Sequence, residues 1–141
     1  MKFNDLNAQQ ARIESELKRR IKDVLTHGRY IMGPEIGELE DCLAEFIGVR
    51  NAITCSSGTD ALLMALMAFD TKPGDAIFTT PFSFISTAEV IVLLGATPVF
   101  VDIDPRTFNI DAFKLSDAIE QVLSSSHLKP KGVIPVDLFG L

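Results

Sequence analysis

From residue 51 onward, short apolar runs alternate with stretches of helical periodicity, and this alternation constrains the fold more than any other feature of the chain. Residues 51–55, 76–79, 97–101 and 132–136 are apolar runs of strand length. Residues 58–69, 84–94 and 112–123 space their apolar side chains as helices do. A connection of helical length is too long for a hairpin and suits parallel pairing. The pattern therefore predicts an α/β chain: a mostly parallel sheet of about four strands, flanked by helices on right-handed crossovers. Asp102-Ile103-Asp104-Pro105 reads as a turn, and Ser124-Ser125-Ser126 as a loop between helix and strand.

The first third of the chain reads differently. Ile13, Leu17, Ile21, Val24 and Leu25 fall at helical spacing between charges, predicting an amphipathic helix over 7–25 with an exposed basic stripe, stopped at Gly28. An apolar link, Tyr30-Ile31-Met32-Gly33-Pro34, leads to a second helix over 34–46, with Pro34 in its first turn and Gly48 at its end. This divides the chain into an arm with its link, 1–33, and a sheet domain, 34–141. The final Val136-Asp137-Leu138-Phe139-Gly140-Leu141 follows a strand with no closing helix, so the sheet domain is expected to be incomplete, part of a longer protein.

Composition narrows the function classes. The 141 residues include 13 basic and 19 acidic side chains, a net charge of -6, which argues against a nucleic-acid backbone as partner. No apolar run reaches the roughly 18 residues that span a bilayer, and the opening residues lack the apolar core of a secretion signal. Two cysteines, Cys42 and Cys55, form no disulfide framework or metal pattern. The expected setting is the cytoplasm, away from membranes.

Two segments could carry chemistry. In Thr54-Cys55-Ser56-Ser57-Gly58-Thr59-Asp60, small and hydroxyl residues stand where an extended run gives way to a helix. Unpaired N–H groups at a helix start attract anions, Gly58 leaves room for one, and Ser57 and Thr59 could add hydroxyl donors: a phosphate cradle. The competing reading is a capping box, Ser57-x-x-Asp60, that only starts the helix; on spacing alone it is preferred. The second segment, Thr79-Thr80-Pro81-Phe82-Ser83-Phe84-Ile85-Ser86-Thr87-Ala88, lies at the next strand-to-helix junction, where open parallel sheets bind ligands. Phe84 could cover a planar ring there, although a phenylalanine taken alone reads as core.

With their flanks, these segments resemble a known family. Gly33-Pro34, Ser57-Gly58-Thr59-Asp60-Ala61-Leu62, Pro73-Gly74-Asp75, Phe84-Ile85-Ser86-Thr87-Ala88 and Gly95-Ala96-Thr97-Pro98-Val99-Phe100-Val101-Asp102-Ile103-Asp104 follow, in order, the pattern of the DegT/DnrJ/EryC1/StrS nucleotide-sugar aminotransferases. The opening Phe3-x-Asp5-Leu6 and the closing Pro135-Val136-Asp137-Leu138-Phe139-Gly140 match it too. The resemblance implies the N-terminal portion of the large domain of PLP-dependent transferases, the aspartate aminotransferase fold (fold type I), with pyridoxal 5'-phosphate as cofactor. It implies that Ser57, Gly58 and Thr59 hold the cofactor phosphate, that Phe84 stacks on the pyridine ring, and that Tyr30 lies in a loop near the substrate entrance. It further implies a homodimer acting on a nucleotide-sugar, UDP-linked with a 3-keto group, with glutamate as amino donor, for surface polysaccharide or glycoside biosynthesis.

The family places the aspartate that pairs with the pyridine nitrogen one strand further on, and the lysine that bonds the cofactor later still. Asp137 stands one strand too early for the first. The seven lysines, Lys2, Lys18, Lys22, Lys72, Lys114, Lys129 and Lys131, fall outside the second motif. No catalytic residue and no metal ligand is therefore assigned, and the 141 residues alone are expected to be inactive. Two alternatives stay open at this point: a pyridoxamine-dependent sugar dehydratase of the same family, and a non-catalytic binder of PLP or nucleotide-sugar.

The remaining candidates read as structural. His27 and His127 suit helix ends, Cys42 and Cys55 small apolar positions, and Met64 and Met67 packing. Glu38, Glu40, Asp41 and Glu45 make a solvated acidic face, and Asp102 and Asp104 suit turn chemistry.

Overall fold

The computed structural model describes residues 4–140, so Phe3 of the opening motif lies outside the described residues. The chain forms two compact units, residues 1–54 and 55–141.

The first unit is a pair of helices. Helix α1, Leu6–His27, starts where the Asp5 side chain accepts from the Ala8 N–H (3.1 Å) and stops at Gly28 in the left-handed region. Helix α2, Pro34–Ile47, has Pro34 in its first turn and Gly48, also left-handed, after its last. Arg20 on α1 forks onto the Glu38 carboxylate of α2, and His27 Nε2 meets Glu35 Oε1 at 2.9 Å. Gly33 precedes α2 because a Cβ there would stand 2.5 Å from the Arg29 carbonyl oxygen. The apolar face of α1, from Leu6 through Ile13 and Ile21 to Leu25, is largely exposed, so that stripe as well as the charges faces outward.

The second unit is the expected parallel α/β arrangement. Its elements are α3 (Gly58–Ala68), β1 (Asp75–Thr79), α4 (Ser86–Leu93), β2 (Thr97–Phe100), α5 (Ala112–Ser125) and β3 (Lys129–Ile134). The strand order is β2-β1-β3, with both pairings parallel. Strand β1 is buried along its whole length, and its side chains alternate between two cores. Ile77 joins Leu66, Val90, Ile91 and Ala96 on the face covered by α3 and α4. Ala76 and Phe78 join Val101 and Val122 on the face covered by α5.

Two strand expectations shift. Residues 51–55 form no strand, so the sheet has three strands among the described residues rather than about four. The Thr54 N–H that a ladder would use is taken by the Glu40 carboxylate instead. The last strand begins at Lys129, earlier than its apolar run suggests. Pairing passes from Pro130 opposite Ala76 to Gly132 opposite Ile77, so Lys131 is looped out next to a proline that has no N–H to give.

Candidate functional site

Three parallel strands place their carboxyl ends together. From β1 the chain passes to β2 on one side and then returns to β3 on the other, so the β1/β3 crevice is the point where the winding reverses. Ligands of open α/β sheets bind outside such a crevice. Its two walls are tied by Thr79, wholly buried, whose Oγ1 donates to the Ile134 carbonyl at 3.0 Å.

The turn Ser57-Gly58-Thr59 opens α3 at this end of the sheet: Thr59 lines one hollow of about 640 Å³ with Ile85 and Ala88, beyond β1, and Phe100, the last residue of β2. Ser57 is the N-cap; its Oγ accepts from the Asp60 N–H (3.1 Å) and donates to Asp60 Oδ2 (3.0 Å). Ser56 Oγ donates to the same carboxylate oxygen. The two hydroxyls hold the Asp60 carboxyl below its ordinary range, that of Ser56 the more strongly. The capping box is thus realised, though the acid grips serine hydroxyls rather than the N-cap N–H. The N–H groups of Gly58 and Thr59 and the Thr59 hydroxyl have no partner among the described residues.

Gly58 leaves the helix start open. Its backbone is not in the left-handed region, and a Cβ there would meet nothing within 4 Å. Among the described residues, neither turn geometry nor packing requires a glycine at this position, as is also true of Gly37 within α2; the open space at Gly58 differs in lying at a helix start. Gly95 shows the contrast, with φ of +74° and a Cβ that would stand 2.8 Å from Pro73 Cγ.

Phe84 is 73% exposed, so the core reading fails. It sits in the loop between β1 and α4 and borders a hollow of about 180 Å³ with Thr80, Pro81, Ser83, Thr87 and Phe100. That loop is braced internally: Thr80 Oγ1 accepts from the Phe82 N–H (3.1 Å), and the Ser83 and Thr87 hydroxyls share a hydrogen bond (2.8 Å). Tyr30 belongs to the first unit, exposed beside a shallow hollow lined by Arg20, Ile21, Val24 and Leu25.

Three features escaped the sequence reading. Phe82, Phe108 and Phe139, one from the loop after each strand, pack ring against ring with centroids 5.2 to 6.4 Å apart. Phe108 holds φ of +63°, strained for a bulky residue. Glu40, read as part of a solvated face, binds Thr54 at both N and Oγ1, 2.8 Å each. Its signal was a carboxylate four residues after Ile36, within the apolar stripe of α2. Among the structural readings, Cys42 and Cys55 are exposed thiols rather than packed apolar groups, and Met64 and Met67 are also largely exposed. Asp102 and Asp104 behave as turn residues, the first paired with Lys114 and the second with Arg106.

A parallel sheet with helices on both faces and an open helix start at its carboxyl edge defines the N-terminal portion of a fold type I large domain. The chain belongs to the DegT/DnrJ/EryC1/StrS aminotransferase family, whose model matches residues 11–141. It is 48% identical over 140 residues to the UDP-2-acetamido-2-deoxy-3-oxo-D-glucuronate aminotransferase of Pseudomonas aeruginosa, covering 99% of this chain and 37% of that protein. It superposes with a TM-score of 0.95 on the crystal structure of a DegT/DnrJ/EryC1/StrS aminotransferase from Brucella abortus, at 50% identity, over 100% of this chain and 38% of the other. A Bacillus subtilis structure, NtdA with bound cofactor PMP, matches at a TM-score of 0.77 and 31% identity, over 89% of this chain and 27% of the other. The chain spans little more than a third of the length of the curated relatives it matches. Among the described residues, no helix is long and apolar enough to cross a membrane.

Proposed function

We propose that this chain is the phosphate-anchoring and ring-stacking part of a PLP-dependent aminotransferase that moves an amino group from glutamate to a UDP-linked 3-keto sugar. Gly58 carries the reading: it begins α3 beside N–H groups that have no partner among the described residues, and no contact among those residues calls for a glycine there. Family membership and the similarity to a UDP-3-oxo-sugar aminotransferase support the substrate class.

The residues present fit the cofactor. The N–H groups of Gly58 and Thr59 and the Thr59 hydroxyl would hold its phosphate, at the positive end of the α3 dipole, with Ser57 as the cap that aims them. Phe84, on its braced loop, would cover one face of the pyridine ring. When bound, PLP supplies the electron sink that lets an amino group be exchanged between carbon atoms. These residues bind and orient it; the proton-transferring lysine and the aspartate at the ring nitrogen belong to later segments of the family pattern, so residues 1–141 alone catalyse no amino transfer. Residues 1–33 serve as the arm and entrance loop, with Tyr30 on the substrate side, and 34–141 as part of the cofactor domain. The exposed stripe Leu6, Ile13, Ile21 and Leu25 suits burial against a second copy, consistent with a cytoplasmic homodimer.

The test is the longer protein containing this chain, incubated with PLP and reduced with borohydride, then supplied unreduced with glutamate and a UDP-3-keto sugar. One cofactor mass per chain and formation of UDP-amino sugar with 2-oxoglutarate are expected. Failure to retain the cofactor overturns the reading.

A further inference from the structure

The serine hydroxyls nearest the cradle are already spent. A hydroxyl carries one proton to donate. That of Ser57 goes to Asp60 Oδ2, and a lone pair on the same oxygen receives the Asp60 N–H. That of Ser56 goes to the same carboxylate oxygen. Thr59 alone in the turn keeps a hydroxyl with no partner among the described residues. One carboxylate on the first turn of α3 therefore decides which donors remain for an anion.

We infer that Asp60 is a positioning residue that withdraws the Ser56 and Ser57 hydroxyls from the cofactor phosphate, leaving that phosphate to the Gly58 and Thr59 N–H groups and the Thr59 hydroxyl. This rests on the cradle reading above and adds a division of labour within it. Its consequence is preorganisation: backbone N–H groups held by a helix do not rotate, whereas serine hydroxyls would have to be reoriented on binding. Asp60 also places a negative charge on the first turn of α3, against the N-cap serines, so the grip is weaker than the cradle could make it.

The experiment compares PLP with pyridoxal, which lacks the phosphate, on the full-length protein. The ratio of the two affinities reports the phosphate grip, and a general folding defect cancels from it. Asp60→Ala should raise that ratio by about threefold or more, because two hydroxyls become free and one charge is removed. Asp60→Asn, which keeps an acceptor oxygen, should move it in the same direction but less, and serves if Asp60→Ala does not fold. Adding Ser56→Ala and Ser57→Ala to Asp60→Ala should reverse most of the rise. A ratio that falls or stays constant in Asp60→Ala overturns the inference, and so does a rise that survives loss of both hydroxyls, since charge alone would then explain it. A wild-type ratio near one instead removes the cradle itself, a failure distinct from that of Asp60.

Discussion

Glu40 Oε1 accepts two hydrogen bonds from one residue, the N–H and the Oγ1 of Thr54, both at 2.8 Å. The pair fixes the backbone at the residue from which the chain continues to Ser57. The Thr54 N–H first, and its hydroxyl second, hold the Glu40 carboxyl below the usual carboxylate range. A lowered folded-state value contributes stability that is present above the unfolded value, about 4.3, and lost as pH falls through the folded one. Glu40→Ala should lower the melting temperature more than Thr54→Val, which keeps the N–H bond, and Glu40→Gln should cost least near neutral pH. Calorimetry from about pH 6 down to about pH 3 should show Glu40→Gln losing less stability than the wild type. Parallel curves would show that this carboxylate does not titrate against folding.

Glycine substitutions should separate the two kinds of glycine. Gly58→Ala adds a methyl to open space in a helical backbone, so it should leave stability unchanged or raise it by up to about 1 kcal/mol. The same methyl would meet an incoming phosphate, so PLP affinity in the full-length protein should fall by about tenfold or more. Gly95→Ala should do the opposite, costing about 1–3 kcal/mol through positive φ and the Pro73 contact while leaving the PLP-to-pyridoxal affinity ratio unchanged. Urea unfolding and cofactor titration on the same variants check both halves.

Phe108 tests whether strain is held for the sake of packing. Its left-handed backbone costs about 1–2 kcal/mol, and its ring packs on Phe82 and Phe139 at 5.7 and 5.2 Å. Removing the ring should lose about 0.5–1.5 kcal/mol per aromatic pair. Phe108→Ala loses both contacts and keeps the strain, whereas Phe108→Gly loses both and relaxes it. The glycine variant should therefore be the more stable of the two, against the usual order at exposed positions. Chemical denaturation of the two variants decides; alanine above glycine would mean the backbone there is not strained in solution.

How far the sequence reached depends on the range of the force involved. The parallel pairing was visible because burial of β1 on both faces demands an apolar run and its crossovers demand helices, and both leave periodic marks; the order β2-β1-β3 was not. The cap at Ser57 was visible because its partners lie within three residues. What escaped was set by contacts between distant segments. Nothing local to 51–55 says that Thr54 will give its N–H to a side chain fourteen positions back, so an apolar run read as a strand. Nothing in Thr107-Phe108-Asn109 announces a positive φ, since the ring that repays it belongs to Phe139. Phe84 was ambiguous for the same reason: only the sheet edge decides whether a ring after β1 is covered or free.

The charge lattice on α1 gives the remaining prediction. Glu16 stands between Arg19 and Arg20, whose hydrogen bonds pull its carboxyl down to about 2, with Arg19 the larger cause. Arg20 reaches on to Glu38, whose carboxyl it lowers in turn. Glu16 thus supports α1, and Glu38 its pairing with α2, above the ordinary carboxylate range, and both contributions are lost as pH falls through the lowered values. All of these side chains are solvent-exposed, so screening should act on them strongly: the Debye length shrinks from about 10 Å at 0.1 M salt to about 3 Å at 1 M. Amide-exchange protection in α1 should therefore fall between about pH 5 and pH 2, and fall again when salt is raised at neutral pH. Glu16→Gln should flatten the acid limb and weaken the salt response, while protection in the buried strand β1 stays as it was. Equal loss in α1 and β1 would show that acid unfolds the whole chain rather than releasing this lattice.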